Sequence, residues 1–161
     1  MNTIRIYDLK SSSELFHLKL SNVSDYNDHE LLFYKDLAAE QINIEFLSRT
    51  CIAGKPQTSC CIRSKFYNRV KTLLTSNLLL KDHAEIIPSV GLVSLFPHSF
   101  SLEILGQSLN AFGNANLPIH GFASSISSIT FITDYDRLGE AEKTLKEYPF
   151  TITKDLHSTA G

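Results

Sequence analysis

The chain has 161 residues, 43% hydrophobic and 20% charged, with a formal charge of −2. That is a globular composition, sized for one ordinary domain or two small ones. Lys and Arg are scattered singly, which argues against nucleic acid as a partner, and three cysteines, two of them adjacent, exclude a disulfide framework and suit a reducing, cytoplasmic setting.

The leading segment "TIRIYDL", from Thr3, reads as a short strand, and the N-terminus lacks the apolar core of a signal peptide. No run approaches the roughly 18 apolar residues of a membrane span, so no membrane partner is expected. A strand is expected at Leu15 to Ser21, then a helix from Asp28 to Gln41 with Leu31, Tyr34 and Ala38 on its apolar face. "INIEFLSRTCI", the turn signal "AGKP" at Ala53 to Pro56 and "QTSCCIR" read as a hairpin. Phe66, Val70, Leu73 and Leu74 share a face of a second helix, and "HAEIIPS" closes the unit as a strand.

The second half repeats this order. After the strand "VGLVSLFP", Leu102, Leu105, Leu109 and Phe112 stripe a helix, "LPIHGFAS" and "SITFIT" form a hairpin, and Leu138, Ala141 and Leu145 stripe another helix. Ser99 and Asp136 stand where helix N-caps belong. The closing "FTITK" reads as an extra strand. An offset of 75 residues lays Leu18 on Val93, Leu20 on Leu95, Leu37 on Phe112, Ile42 on Leu117 and Ile44 on Ile119. A pattern repeated without a gap implies a duplicated unit.

The expected class is therefore α+β: two ferredoxin-like βαββαβ units, each an antiparallel sheet with its helices on one face. The expected boundaries are 1–88, including the leading strand, and 89–161, whose C-terminal strand has the option of crossing to the first unit. Either half alone is near the lower size at which one core suffices, which favours pairing.

Three segments carry a resemblance to a known family: "AAEQINIEFLS", "QTSCCI" and "GFASSISSITFIT". With the leading "TIRIYDLKSSSELFHLKL" they resemble tandem ACT domains, in particular the C-terminal regulatory part of aspartate kinases. Leu37, Ala38, Ile42, Asn43, Ile44 and Glu45 match the family's helix-to-strand motif, and Ala123 to Thr130 resembles its serine-rich strand signature. Two features depart from the pattern. The Pro-Gly pair at the helix start is missing at Asn27 and Asp28 and at Leu102 and Glu103, and Pro118 replaces the motif's Asn in the second half. No kinase-like segment precedes the pair in these 161 residues, so phosphoryl transfer is not expected.

The resemblance implies a non-catalytic, regulatory homodimer. It would bind an amino-acid effector between ACT units, need no cofactor or metal, and act on an amino-acid biosynthetic enzyme. A helix N-terminus suits the carboxylate of a zwitterion, and Asp25, Asn43 and Glu45 are acceptors for its ammonium. The expected ligand set is Asp25, Asn27, Asp28, Asn43, Ile44, Glu45, His98, Ser99 and His120.

Blander readings compete at each position. Asp25 and Asp28 also favour a helix start, and Glu45 reads equally as a solvated edge charge. The cysteines lack a zinc half-site spacing and read as core packing, and Ser124 to Ser128, without a nucleophile elbow, read as facing solvent or a partner domain. An RNA-binding sheet needs exposed aromatics on its central strands and a basic surface; the third strands of the two halves offer at most Phe131, which is expected to face the helices. Two alternatives remain: a degenerate pair serving as a ligand-free dimerisation scaffold, and, less supported, a small enzyme using His98 or His120.

Overall fold

The computed structural model describes residues 2–3, 8–21, 26–96, 102–125 and 127–152, with backbone alone for 2–3, 26–28 and 151–152. In chain order the elements are β1 (Asn2–Thr3), β2 (Asp8–Ser11), β3 (Leu15–Ser21), α1 (Tyr26–Ala39), β4 (Ile44–Ile52), β5 (Lys55–Arg63), α2 (Tyr67–Ser76) and α3 (Leu78–Lys81). They continue with β6 (Ala84–Phe96), α4 (Leu102–Asn114), β7 (Gly121–Ser124), β8 (Ile129–Asp134), α5 (Leu138–Glu147) and β9 (Thr151–Ile152). The chain divides into a first unit, Ser13–Val90, and a second, Met1–Ser12 with Gly91–Gly161.

In the first unit the strand order is β4-β5-β3-β6, with all neighbours antiparallel. Strand alternation sends Phe16, Leu18, Leu20, Cys60 and Ile62 to one face, where they pack with Phe33 and Leu37 of α1, Val70 and Leu74 of α2, and Leu80 of α3. Ala53 and Gly54, at φ of 51° and 76°, form the two-residue β4–β5 turn. Positive φ at both positions matches the twist of the hairpin. Between Leu15 and His17 the β3–β6 register slips by one residue beside Ser89, whose φ is 54°, so β6 bulges at the end of the unit.

In the second unit the later half of β6 lies between β2 and β8, with β7 outside β8. Val93, Leu95, Ile129 and Phe131 face Ile104 and Phe112 of α4 and Ala141 and Leu145 of α5. Phe131 is thus buried on the helix side, its ring centroid 4.8 Å from that of Phe112, as the sequence predicts. β1 and β9 form a separate two-stranded ladder.

The leading strand departs from the expected boundaries. Residues 4–7 of the expected strand lie outside the described residues; its end, Asp8 and Leu9, falls in β2, which pairs with β6 from Asp8↔Phe96 to Ser11↔Val93, and Leu9 packs on the second core, so β2 belongs with the second unit rather than with 1–88. The reason is an edge: β8 pairs on one side of β6, and β2 satisfies the backbone groups of the other. Of the closing strand, residues 153–154 lie outside the described residues; Thr151 and Ile152 pair with Thr3 and Asn2.

Helix phase departs as well. On α1 the inward face is Glu30, Phe33 and Leu37, while Leu31 is 51% exposed and Ala38 is exposed. Phe33 carries more apolar area than Ala38, and Glu30 goes inward because Tyr34 and Thr58 donate to it. On α4, Leu102 is 72% exposed; Ile104, Ser108, Ala111 and Phe112 face inward, with Ser108 Oγ donating to the Ile104 carbonyl at 2.7 Å. Asp136 is not an N-cap. It sits inside a 3-10 turn, Tyr135–Arg137, that feeds α5 directly, leaving Arg137 at the cap; its side chain donates to Glu140 at 2.6 Å and makes no capping bond.

The repeat is visible in burial and backbone. Leu18 and Val93, Leu20 and Leu95, Leu37 and Phe112, and Ile42 and Leu117 are buried pairwise. α1 and α4 end alike: the Ile42 N–H donates to the Leu37 carbonyl at 2.9 Å and the Leu117 N–H to the Phe112 carbonyl at 3.0 Å. Gln41 and Asn116 take the left-handed position, at φ of 54° and 49°. This is a Schellman ending used twice in register.

Candidate functional site

Asn43 and Ile44 follow the α1 ending and open β4, the outer strand of the first sheet. A groove of about 410 Å³ runs beside them. One wall is Tyr34, Leu37 and Ala38 of α1; Gln41 and Ile42 close the end; Ile44 and Leu47 of β4 form the other wall, with Asn43 at the corner. The left-handed residue Gln41 turns the chain sharply enough for helix and strand to run side by side here.

Beside the groove lies a polar cluster. Glu30 is 4% exposed; its Oε1 accepts from the Tyr34 hydroxyl and, at 2.7 Å, from Thr58 Oγ1, and Arg49 Nε stands 3.5 Å from its Oε2. A buried carboxylate needs this many partners. Burial and then the Glu30 hydrogen bond push the Tyr34 hydroxyl up from its ordinary value. Burial, then the Glu30 charge, pushes Cys60 up to about 12.

Of the expected ligand residues, the structure brings Asn43 and Ile44 to one groove. Glu45, next in sequence, accepts from Arg63 Nε of β5 at 2.7 Å in an exposed pair. His120 is in the second unit, with Nε2 2.6 Å from Asp134 Oδ1. Asn27 and Asp28 lie in the first turn of α1 with side chains outside the described residues, and Asp25, His98 and Ser99 lie outside them altogether.

The two pairs correspond. Glu45 and His120 keep the offset of 75, while Arg63 and Asp134 follow the shorter second hairpin at an offset of 71, which also relates α2 to α5. The acid lies on β4 in the first copy and on β8 in the second, so acid and base have exchanged positions.

Sequence reasoning did not find Tyr34, Gln41 and Leu47 as groove residues, nor the buried Glu30. Tyr34 reads as a core residue by spacing; a Glu four residues before it, on the same helix face, is the signal that it has a polar neighbour. The cysteines divide: Cys60 and Cys61 are buried, but Cys51 is exposed near the β4–β5 turn and is not core packing. Ser124, Ser125 and Ser127 are exposed, and Ser125 Oγ accepts from the Ser127 and Ser128 N–H groups, so the serine-rich segment is a self-bonded turn. His17 Nε2 bonds Ser59 Oγ at 2.5 Å, but His17 is fully buried and out of a substrate's reach.

No family model matches the sequence, and no curated protein matches it. Solved structures do match. The ligand-free regulatory subunit of aspartate kinase from Thermus thermophilus is similar with a TM-score of 0.75 over 90% of this chain and 99% of that one, at 14% identity. The fold is that of an aspartate kinase regulatory subunit. Aspartate kinase from Synechocystis matches with a TM-score of 0.74 at 17% identity, over 95% of this chain and 29% of that one. E. coli aspartokinase III in complex with lysine and aspartate matches with a TM-score of 0.64 at 13% identity, over 93% of this chain and 34% of that one. The chain thus spans about a third of the whole kinases and nearly all of the separate Thermus regulatory subunit. No helix among the described residues is long and apolar enough to cross a membrane.

Proposed function

We propose that this chain is a non-catalytic regulatory module that binds an amino acid or a similar small metabolite at an interface between ACT units, and reports its presence to an amino-acid biosynthetic enzyme in the cytoplasm. The observation that carries the reading is the groove built on Asn43 and Ile44, the strand start of the helix-to-strand motif, within a regulatory-subunit fold. Dimerisation through the first unit is part of the reading. β4 is the outer strand of its sheet and exposes Leu47 and Ile52, at 52% and 58%, a strand edge suited to a second copy. The mechanism is linkage: a ligand favouring one arrangement of paired units shifts their population, and the partner enzyme reads the shift.

A melting scan against millimolar amino acids tests this. A ligand at 100 times its Kd adds about 2.7 kcal/mol, a shift of several degrees. At least one amino acid is expected to raise the melting temperature, and Asn43→Ala to reduce that rise. A flat panel contradicts ligand sensing and favours the second reading, a dimerisation scaffold. That reading draws on Pro118, which removes the motif's amide in the second half, and on His120, whose imidazole is engaged by Asp134.

A further inference from the structure

We propose that the groove between α1 and β4 selects an amino acid with an apolar, extended side chain over lysine, threonine or aspartate. This rests on the amino-acid-binding reading and adds the ligand class. The lining decides it: Leu37, Ala38, Ile42, Ile44 and Leu47 are apolar, the polar contributions from Tyr34, Gln41 and Asn43 are uncharged, and none of the described residues that line the groove is charged. The nearby charges, Glu30 and Arg49, face each other, and both of Glu30's oxygens are already engaged.

A charged side chain laid here would lose water without gaining a counter-ion, and a charge is costly to desolvate unpaired. A hydroxyl against the aliphatic wall gains nothing in compensation. A methylene chain displaces water from Leu47, Ala38 and Ile44, while the ligand's charged head keeps its water at the end of the groove, beside the exposed Asn43 and Gln41, whose amides hydrogen-bond it. Tyr34 fixes one wall. Its hydroxyl is held by Glu30, which is itself held by Thr58, so the ring is set as a wall rather than left to rotate into the groove.

The test is titration calorimetry on the whole chain with alanine, 2-aminobutyrate, norvaline and norleucine, and with lysine, threonine and aspartate. Affinity is expected to rise roughly fourfold per added methylene, with norleucine at least about tenfold tighter than lysine. Ala38→Leu, at an exposed position where folding is undisturbed, fills the groove and is expected to erase the rise. Lysine, threonine or aspartate binding without any rise along the series overturns the selectivity and leaves amino-acid sensing standing. Silence from every amino acid overturns both. A rise that survives Ala38→Leu places the site elsewhere, and a dimer converted to monomer by Ala38→Leu makes a second copy the occupant; either overturns the proposal.

Discussion

Cys60 and Cys61 are neighbours with different surroundings. Cys60 faces the helices in the first core, and Cys61 points to the other face of β5, opposite His17 across the ladder. Burial raises both, Cys60 from an ordinary 9.0 to about 12 and Cys61 further. A thiol whose pKa is raised on folding stabilises the native state fully below the unfolded value, and that contribution is lost as pH rises through the folded one. Denaturant titrations should therefore show stability falling between pH 9.0 and about 12, less steeply in Cys60→Val. Near pH 8, a thiol reagent should label Cys51 alone until the protein unfolds. A stability profile flat across that alkaline window contradicts the burial account. The sequence shows that adjacent cysteines on a strand face opposite ways; it does not show that both faces are covered at this point, because coverage depends on distant segments.

At the scale of elements, the α1 and α4 endings carry the repeat more clearly than side-chain identity does. The same hydrogen bonds and the same left-handed residue recur, although the letters there are Gln41 and Asn116. Asn tolerates that conformation better than Gln, since its short side chain bonds locally. Gln41→Gly should therefore stabilise the first unit by about 0.5–1 kcal/mol after the entropy cost of glycine, with a smaller gain for Asn116→Gly. Chemical denaturation of the two variants checks this; a loss of stability in Gln41→Gly contradicts the strain assigned to that turn. The apolar positions made the offset of 75 legible because buried residues at element ends tolerate few substitutes. Helix phase was less legible. α1 exposes Leu31 and Leu32 and buries Glu30, so hydrophobic spacing points to the wrong face until the partners of Glu30 are known.

For the whole molecule, the order of elements, the two cores and the ferredoxin-like plan follow from local patterns, and those were readable. The assignment of the leading strand was not, because pairing between Leu9 and Leu95 joins residues far apart in sequence and no local signal marks the partner. The same limit applies to the groove: Asn43 and Ile44 stand out through their motif, whereas Tyr34 joins them only when helix and edge strand are laid side by side. The architecture amounts to a unit inserted after residue 12 of another, each with its own core. Hydrogen exchange on a chain lacking residues 1–12 measures that organisation most directly. Loss of β2 should open the edge of β6 and strip protection from the peptides of β6's later half, β8 and α5, while β3, β4 and β5 keep theirs. Protection lost from β3, β4 and β5 instead, or lost nowhere, would contradict the interleaved two-unit architecture.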